Sequence, residues 1–158
     1  MTTQCPTDLP IETFLLHRES MLLIQSIVGC GDNWLEAAVD VSASSSLFIS
    51  GQRTVPSWVG LEYMAQAISA FAGVMAWRQG RKPEVGFLLG TRRYSVVEHS
   101  FDPQELLTVK VTQLLRDDNN LVLFDCHIYR GGKSIAAAEI KAIQPNDVQS
   151  VLAQFGIE

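Results

Sequence analysis

The sequence predicts an α+β fold in which one long, buried helix packs in the concavity of an antiparallel sheet. Three observations carry that prediction. The stretch from Thr54 to Trp77, TVPSWVGLEYMAQAISAFAGVMAW, is apolar or small all the way round, and such a helix is buried on every face or sits in lipid. Most of the remaining chain reads as strands and turns, so a sheet is the surface available to cover it. Gly60, Ala65, Ala67, Ala70, Ala72 and Gly73 are small enough to let that surface come close.

A membrane span needs about 20 mostly apolar residues, and the segment nearly has them. Against it stand Pro56, Ser57, Glu62, Gln66, Ser69 and two glycines, with no second hydrophobic span. The wrapped helix is the better account, and no membrane span is expected. Pro56 suits a helix's first turn, where its missing N–H has no intrahelical partner anyway. Glu62 is the segment's single charged side chain. Burying an unpartnered carboxylate is expensive, so it lies at the helix mouth near water or serves a purpose. The plain reading is a first-turn glutamate that complements the helix dipole. The sharper one is a reactive carboxylate oriented by Gln66, one turn later on the same face.

In chain order, Ile11, Phe14 and Leu15 share a helical stripe after Pro10, so a short helix opens the chain. Met21 to Val28 is an apolar run that fits a buried strand, ended by the turn Gly29-Cys30-Gly31-Asp32-Asn33. Trp34 to Val41 alternates as a half-exposed strand, and the two form a hairpin. The serine-rich connection Ser42 to Gln52 leads into the helix. Beyond it, Gln79 to Pro83 is a solvated loop, and Val85 to Gly90 is a short strand or the lip of a pocket. Arg93 to His99, Leu106 to Leu115, Leu121 to Tyr129 and Ser134 to Ile143 are further strands. The last three are joined at Asp117 to Asn120 and Arg130 to Lys133, both hairpin signals. A terminal helix follows Pro145, with Val148, Val151, Leu152 and Phe155 as its stripe.

With 158 residues the chain forms one domain, 1–158, large enough for a real core. A net charge of −5, a pI near 5.1 and scattered basic residues argue against a nucleic-acid surface. Cys5, Cys30 and Cys126 are odd in number and follow no ligand spacing, so free thiols in a reducing compartment are expected. The first residues have neither a basic start nor an apolar run, so no signal peptide is expected, and the location read from this is cytoplasmic.

Few chemistries have a signature here. Nucleophile-elbow, phosphate-loop and dinucleotide motifs are absent, and Gly131-Gly132 is a turn. His127 alternates with Cys126 along a strand, so the two face opposite sides and make no metal pair; no metal is expected. The backbone N–H groups around Ser57 to Gly60, at the start of the helix, suit a thioester oxygen that gains negative charge.

Pro56-Ser57-Trp58-Val59-Gly60-Leu61-Glu62-Tyr63-Met64-Ala65-Gln66 resembles the segment that opens the central helix of 3-hydroxyacyl-carrier-protein dehydratases of the FabZ type. Leu16-His17-Arg18 looks like their Pro-His-Arg segment, with Leu16 in place of the proline. Gly86-Phe87-Leu88-Leu89-Gly90, Tyr94 and Asp102-Pro103-Gln104-Glu105-Leu106 are similar to their later strand and turn. The resemblance spans about Leu15 to Ile143 and is nearest to the ApeP-like branch, dehydratases encoded with aryl polyene pathways. It implies the hot-dog fold, a bent antiparallel sheet around a central helix.

One departure matters. FabZ-type enzymes carry a histidine on the loop before the helix and pair it with the helix glutamate of the other subunit. Counting back from Pro56, that position is Phe48, and Ser42 to Val55 contains no histidine. Elimination of water needs a base for the C2 proton and an acid for the leaving hydroxyl, and this chain offers Glu62. His17 and His99 read as structural and surface residues.

The resemblance implies a dehydratase acting on a 3-hydroxyacyl thioester carried on phosphopantetheine, with no cofactor of its own. Acyl carrier protein is the expected partner. A homodimer is implied, or a heteromer with another dehydratase-like chain. Glu62 is the catalytic residue. The substrate site is expected from Ser57, Trp58, Gly60, Leu61 and Gln66 on the helix and Gly86, Phe87 and Leu88 on the facing strand, with Met64 and Ala65 also lining the acyl tunnel. Two alternatives stay open: a hot-dog thioesterase in which Glu62 activates water, and a non-catalytic acyl-binding or partner subunit.

Overall fold

A computed structural model describes residues 4–16, 21–42, 54–83 and 86–143. Its elements are β1 (Ser26–Cys30), β2 (Trp34–Asp40), β3 (Val55–Pro56), α1 (Gly60–Arg78), β4 (Phe87–Val96), β5 (Ser100–Phe101), β6 (Leu106–Arg116), β7 (Leu121–Arg130) and β8 (Lys133–Ile143). Six strands form one antiparallel sheet in the order β1-β2-β6-β7-β8-β4, and β3 pairs with β5 in a separate ribbon. The fold is the hot-dog arrangement.

Alternation writes the sheet's two faces. On β7, Val122, Phe124, Cys126 and Ile128 are buried while their neighbours are not, and β2 buries Leu35, Ala37 and Val39 in the same way. Those side chains face α1, which packs mainly on β2, β6 and β7. Toward them the helix presents Tyr63, Met64, Ala67, Ala70 and Val74, all fully buried. Its most apolar window is 67% buried within the fold, which is the environment of a core helix.

The N-terminal segment crosses the far side of the helix. Ile11, Phe14 and Leu15 are buried there. Gly73 lies directly under Phe14, and a Cβ at that position would overlap the Phe14 carbonyl. Glycine at 73 is therefore a packing requirement.

Four expectations change. The opening helix is a single 3-10 turn, Ile11–Thr13, because its three apolar residues are buried by packing rather than by a helical repeat. The strand expected over Met21 to Val28 starts only at Ser26, since the backbone at Leu23 and Ile24 is bonded by a side chain instead. The segments 85–90 and 93–99 form one strand, β4, with register shifts between Leu88 and Gly90 and between Arg92 and Ser95. Cys5 and Cys30 are disulfide-bonded, with Cα atoms 5.5 Å apart, and Cys126 alone is free. That corrects the expectation of three free thiols: the N-terminal segment folds back beside the β1–β2 turn. The serine-rich connection from 43 on and the terminal helix lie outside the described residues.

Candidate functional site

The site is organised by how α1 begins. Pro56 has φ −58° and ψ 142°, the extended geometry that precedes a helix. A 3-10 turn, Ser57–Val59, follows. Two bonds fix it: the Ser57 N–H donates to the His99 carbonyl at 2.9 Å, and the Tyr94 hydroxyl donates to the Ser57 carbonyl. Tyr94 reaches inward because β4 bulges just before it, where Arg93 takes φ 56°; a bulge re-aims side chains in this way. Burial, and then the neighbouring Tyr63, push the Tyr94 phenol up to about 12. Gly60 is required by the same contact, since a Cβ there would overlap the Tyr94 hydroxyl.

Glu62 lies in the first turn of α1 and is partly buried. It accepts a hydrogen bond from Gln66 Nε2 at 3.0 Å. Gln66 is completely buried and its orientation is not arbitrary. Its Oε1 accepts from the Leu23 N–H at 2.8 Å and from the Ile24 N–H at 3.4 Å, while Nε2 also donates to the Met21 carbonyl at 2.6 Å. A carboxamide offers two acceptor lone pairs and two N–H groups. With Oε1 committed to two backbone donors, Nε2 must face Glu62. Gln66 therefore acts as a positioning residue, its own geometry set by a segment 43 residues away in sequence.

Behind Glu62 an apolar groove of about 220 Å³ runs along the helix. Its floor is Glu62, Ala65, Ser69, Ala72 and Met75, and its opposite wall comes from Val122 and Phe124 on β7, Ala142 and Ile143 on β8, and Gly86 and Leu88 on either side of the start of β4. Gln113 and Arg116 of β6 are also in the lining.

Of the residues expected from sequence, the structure brings Glu62, Ala65, Gly86 and Leu88 together in this groove. Gln66 stands behind Glu62. Ser57 and Gly60 form the helix start, where Ser57 is tied to Tyr94 and His99. Trp58 is 63% exposed; Leu61 packs against the core and Met64 is fully buried in it. Those three are not in the groove lining. Phe87 is in β4.

His17 and Phe48 lie outside the described residues. His99 is exposed. His127 is on the outer face of the sheet, hydrogen-bonded to Ser134 at 3.0 Å and Asp125 at 3.1 Å and stacked on Tyr129. Among the described residues no group of three or more His, Cys, Asp or Glu could hold a metal ion.

Sequence reasoning missed the far half of the groove. A signal was present: Glu62, Ala65, Ser69, Ala72 and Met75 recur at helical spacing, a stripe of small residues behind one carboxylate. It reads equally as close packing, and only the bend of the sheet tells the two apart.

Comparison with known proteins agrees with the geometry. No curated protein matches the sequence. Among solved structures, the dehydratase heterocomplex ApeI:P from Xenorhabdus doucetiae has a chain that is 25% identical, with a TM-score of 0.84 over 92% of this chain and 97% of that one. A hypothetical thioesterase with coenzyme A from Streptococcus pneumoniae TIGR4 is 13% identical, with a TM-score of 0.58 over 74% of this chain and 85% of that one. The E. coli PaaI protein from the phenylacetic acid degradation operon is 12% identical, with a TM-score of 0.56 over 75% and 81%. The last two share the fold alone. The ApeP-like family model, described as ApeP dehydratase, matches residues 9–153. Nearly the whole chain is thus accounted for: it belongs to the ApeP-like dehydratase family, the hydroxyacyl dehydratases of aryl polyene synthesis.

Proposed function

We propose that this chain eliminates water from a (3R)-hydroxyacyl thioester carried on acyl carrier protein, with Glu62 as its proton-transfer group. The observation that carries this reading is a carboxylate held by Gln66 at one end of an apolar groove. The groove takes the acyl chain, which places the thioester and C3 near Glu62 and the helix start. The helix N-terminus favours the charge that builds on the thioester oxygen as the C2 proton leaves. The C2–H bond breaks, C2 and C3 become doubly bonded, and the C3 hydroxyl departs as water with a proton from the enzyme.

Two proton-transfer groups divide this work best. Among the described residues neither His99 nor His127 is in the groove lining, and an ungapped count back from Pro56 puts Phe48 where the family has its histidine. We therefore assign the second group to a partner, a further dehydratase-like chain, as in the heterocomplex of the ApeI:P structure. β4 is the seat for it: an edge strand with Leu88 and Leu89 about half exposed, next to the groove. An edge strand presents unpaired N–H and C=O groups to a neighbour, and a chain seated there would roof the groove.

Incubation of the full chain with a 3-hydroxyacyl carrier-protein substrate, followed by mass spectrometry, tests the reading. Loss of one water, by the chain alone or with its partner and absent for Glu62→Gln, is the expected result. Release of free acid would replace it with a thioesterase. Binding without mass change, and full activity of the partner with Glu62→Gln, would make this chain a non-catalytic subunit.

A further inference from the structure

We propose that the Cys5–Cys30 bridge is a thiol–disulfide exchange site that latches the N-terminal segment onto the C-terminal end of α1. Its co-reactant is a low-molecular-weight thiol, which Cys5 takes up while Cys30, beside Arg78, leaves and returns. The site involves neither the groove nor dehydration.

The two sulfurs sit on unlike supports. Cys30 ends β1 and enters a turn that closes on itself. There the Gly31 N–H donates to the Trp34 carbonyl at 2.9 Å, and a Cβ at Gly31 would overlap the Trp34 indole. Cys5 lies on a stretch with no helix or strand, in which Gln4 and the residues from Thr7 to Pro10 are exposed. Exposed backbone outside regular structure is what opens at low cost. Both cysteines are partly exposed, within reach of a small solute. Their Cα atoms stand 5.5 Å apart, the span a bridge requires, so the pair can close again without movement of the hairpin.

Arg78, the last residue of α1, makes the sulfurs unequal. Its side chain is 6% exposed. Nη2 donates to Cys30 Sγ at 3.6 Å and Nη1 to the Gly31 carbonyl at 3.0 Å, whereas Nε donates to the Gln4 carbonyl at 3.2 Å. The first two contacts belong to the turn and the third to the segment. When the segment lifts, the cation stays with Cys30. Asp32 lies 4.0 Å from Arg78 but is 89% exposed, so water screens its charge. A buried cation beside a sulfur favours the thiolate.

The exchange then has a favoured order. The thiolate of a small thiol attacks Cys5 Sγ, its proton going to solvent, and the S–S bond breaks. Cys30 departs as the thiolate that Arg78 holds, because the better-stabilised thiolate leaves faster. A mixed disulfide remains on Cys5. A second small thiol attacks its outer sulfur, and Cys5 leaves and takes up that thiol's proton. Two electrons have entered the bridge, and two small thiols have become one disulfide. In reverse, the Cys30 thiolate attacks Cys5 Sγ of the mixed disulfide and expels the small thiol. Ile11, Phe14 and Leu15 are buried independently of the bond, so opening it releases residues 4–10 and leaves the core intact.

The full chain, equilibrated in buffers of reduced and oxidised glutathione, quenched with acid and read by peptide mass spectrometry, tests this. Bridge and free thiols should interconvert across the range, while Cys126, fully buried, stays unmodified. During reduction the trapped mixed disulfide should favour Cys5 over Cys30 by about threefold or more. Arg78→Met should remove that bias and slow alkylation of Cys30 at neutral pH about threefold, the thiolate lost being partly offset by its greater nucleophilicity. Arg78→Lys should keep both, with folding of each variant checked by circular dichroism. Hydrogen exchange in residues 4–10 should be about tenfold faster in the reduced chain, with α1 unchanged. A bridge that withstands excess reduced glutathione, or thiols that never pair in oxidised glutathione, would overturn the proposal. So would an equal split of the mixed disulfide in the unaltered chain, or equal exchange of residues 4–10 in the two forms.

Discussion

Helix α1 carries two stripes of similar composition and opposite fate. Tyr63, Met64, Ala67, Ala70 and Val74 are sealed against β2, β6 and β7. Glu62, Ala65, Ser69, Ala72 and Met75, a step away around the same helix, floor an open groove toward β8 and β4. Average hydrophobicity does not separate them. What does is the surface opposite: the sheet closes on the first stripe and stands off from the second. Small side chains on the first stripe let strands approach; on the second they leave space for a ligand. The same residue type serves packing on one face and binding on the other.

Substitutions break or sharpen that contrast because the two stripes fail differently. The largest effect is expected at Glu62→Gln, with turnover falling by about 10²–10⁴-fold, the range of a general acid or base. Stability should move by less than about 0.5 kcal/mol, since the new carbonyl can still accept from Gln66. Urea denaturation beside a steady-state assay measures both. Gln66→Leu should fail on both counts. It leaves the Leu23 and Ile24 N–H groups and the Met21 carbonyl without their partner, which costs about 3 kcal/mol, and turnover by the folded fraction drops about tenfold as Glu62 loses its orientation. A Gln66→Leu variant with unchanged stability would show that the backbone finds other partners.

A paired substitution isolates the stripes more sharply. Gly73→Ala pushes a methyl into the Phe14 backbone and should lower stability by about 2 kcal/mol, with normal turnover from what remains folded. Ala65→Met fills the groove from its floor and should raise KM about tenfold, by about 1.4 kcal/mol of lost acyl contact, with the melting temperature nearly unchanged. If both variants lost only stability, the groove would be a packing defect and not a site.

The helix and the meander β6–β7–β8 were legible because their signals are local: an apolar segment opened by proline, and alternation between turn residues. Glu62 and Gln66 were legible as an i, i+4 pair on one face. The rest depends on contacts that leave no local mark. Gln66 is held by Met21, Leu23 and Ile24, and Cys5 meets Cys30 across 25 positions. β4 read as two segments because its bulges interrupt the alternation, and the bulge in β6 that turns Arg116 inward has no glycine to announce it. Trp58 and Met64 were expected at the tunnel from helical position alone. The structure puts Trp58 on the 3-10 turn before α1, where it faces solvent, and Met64 on the face of α1 that is sealed in the core.

The smallest expected effect lies where the two stripes begin, at the hydroxyl of Tyr94. Tyr94→Phe removes the bond to the Ser57 carbonyl and should cost about 1 kcal/mol at neutral pH. It should also change the response to alkali. In the unfolded chain a tyrosine titrates near 10, whereas burial holds Tyr94 at about 12. The folded-state value is raised, so this contribution is complete below pH of about 10 and is lost as the pH rises toward 12, because the unfolded chain gives up the proton first. The phenol is partly exposed, so solvent screening reduces the loss to about 1 kcal/mol. Urea midpoints at pH 9 and pH 11.5 should therefore converge between the unaltered chain and Tyr94→Phe. A constant gap at both pH values would mean that the hydroxyl is open to water and that Ser57, at the mouth of the site, is held by the ribbon of β3 and β5 alone.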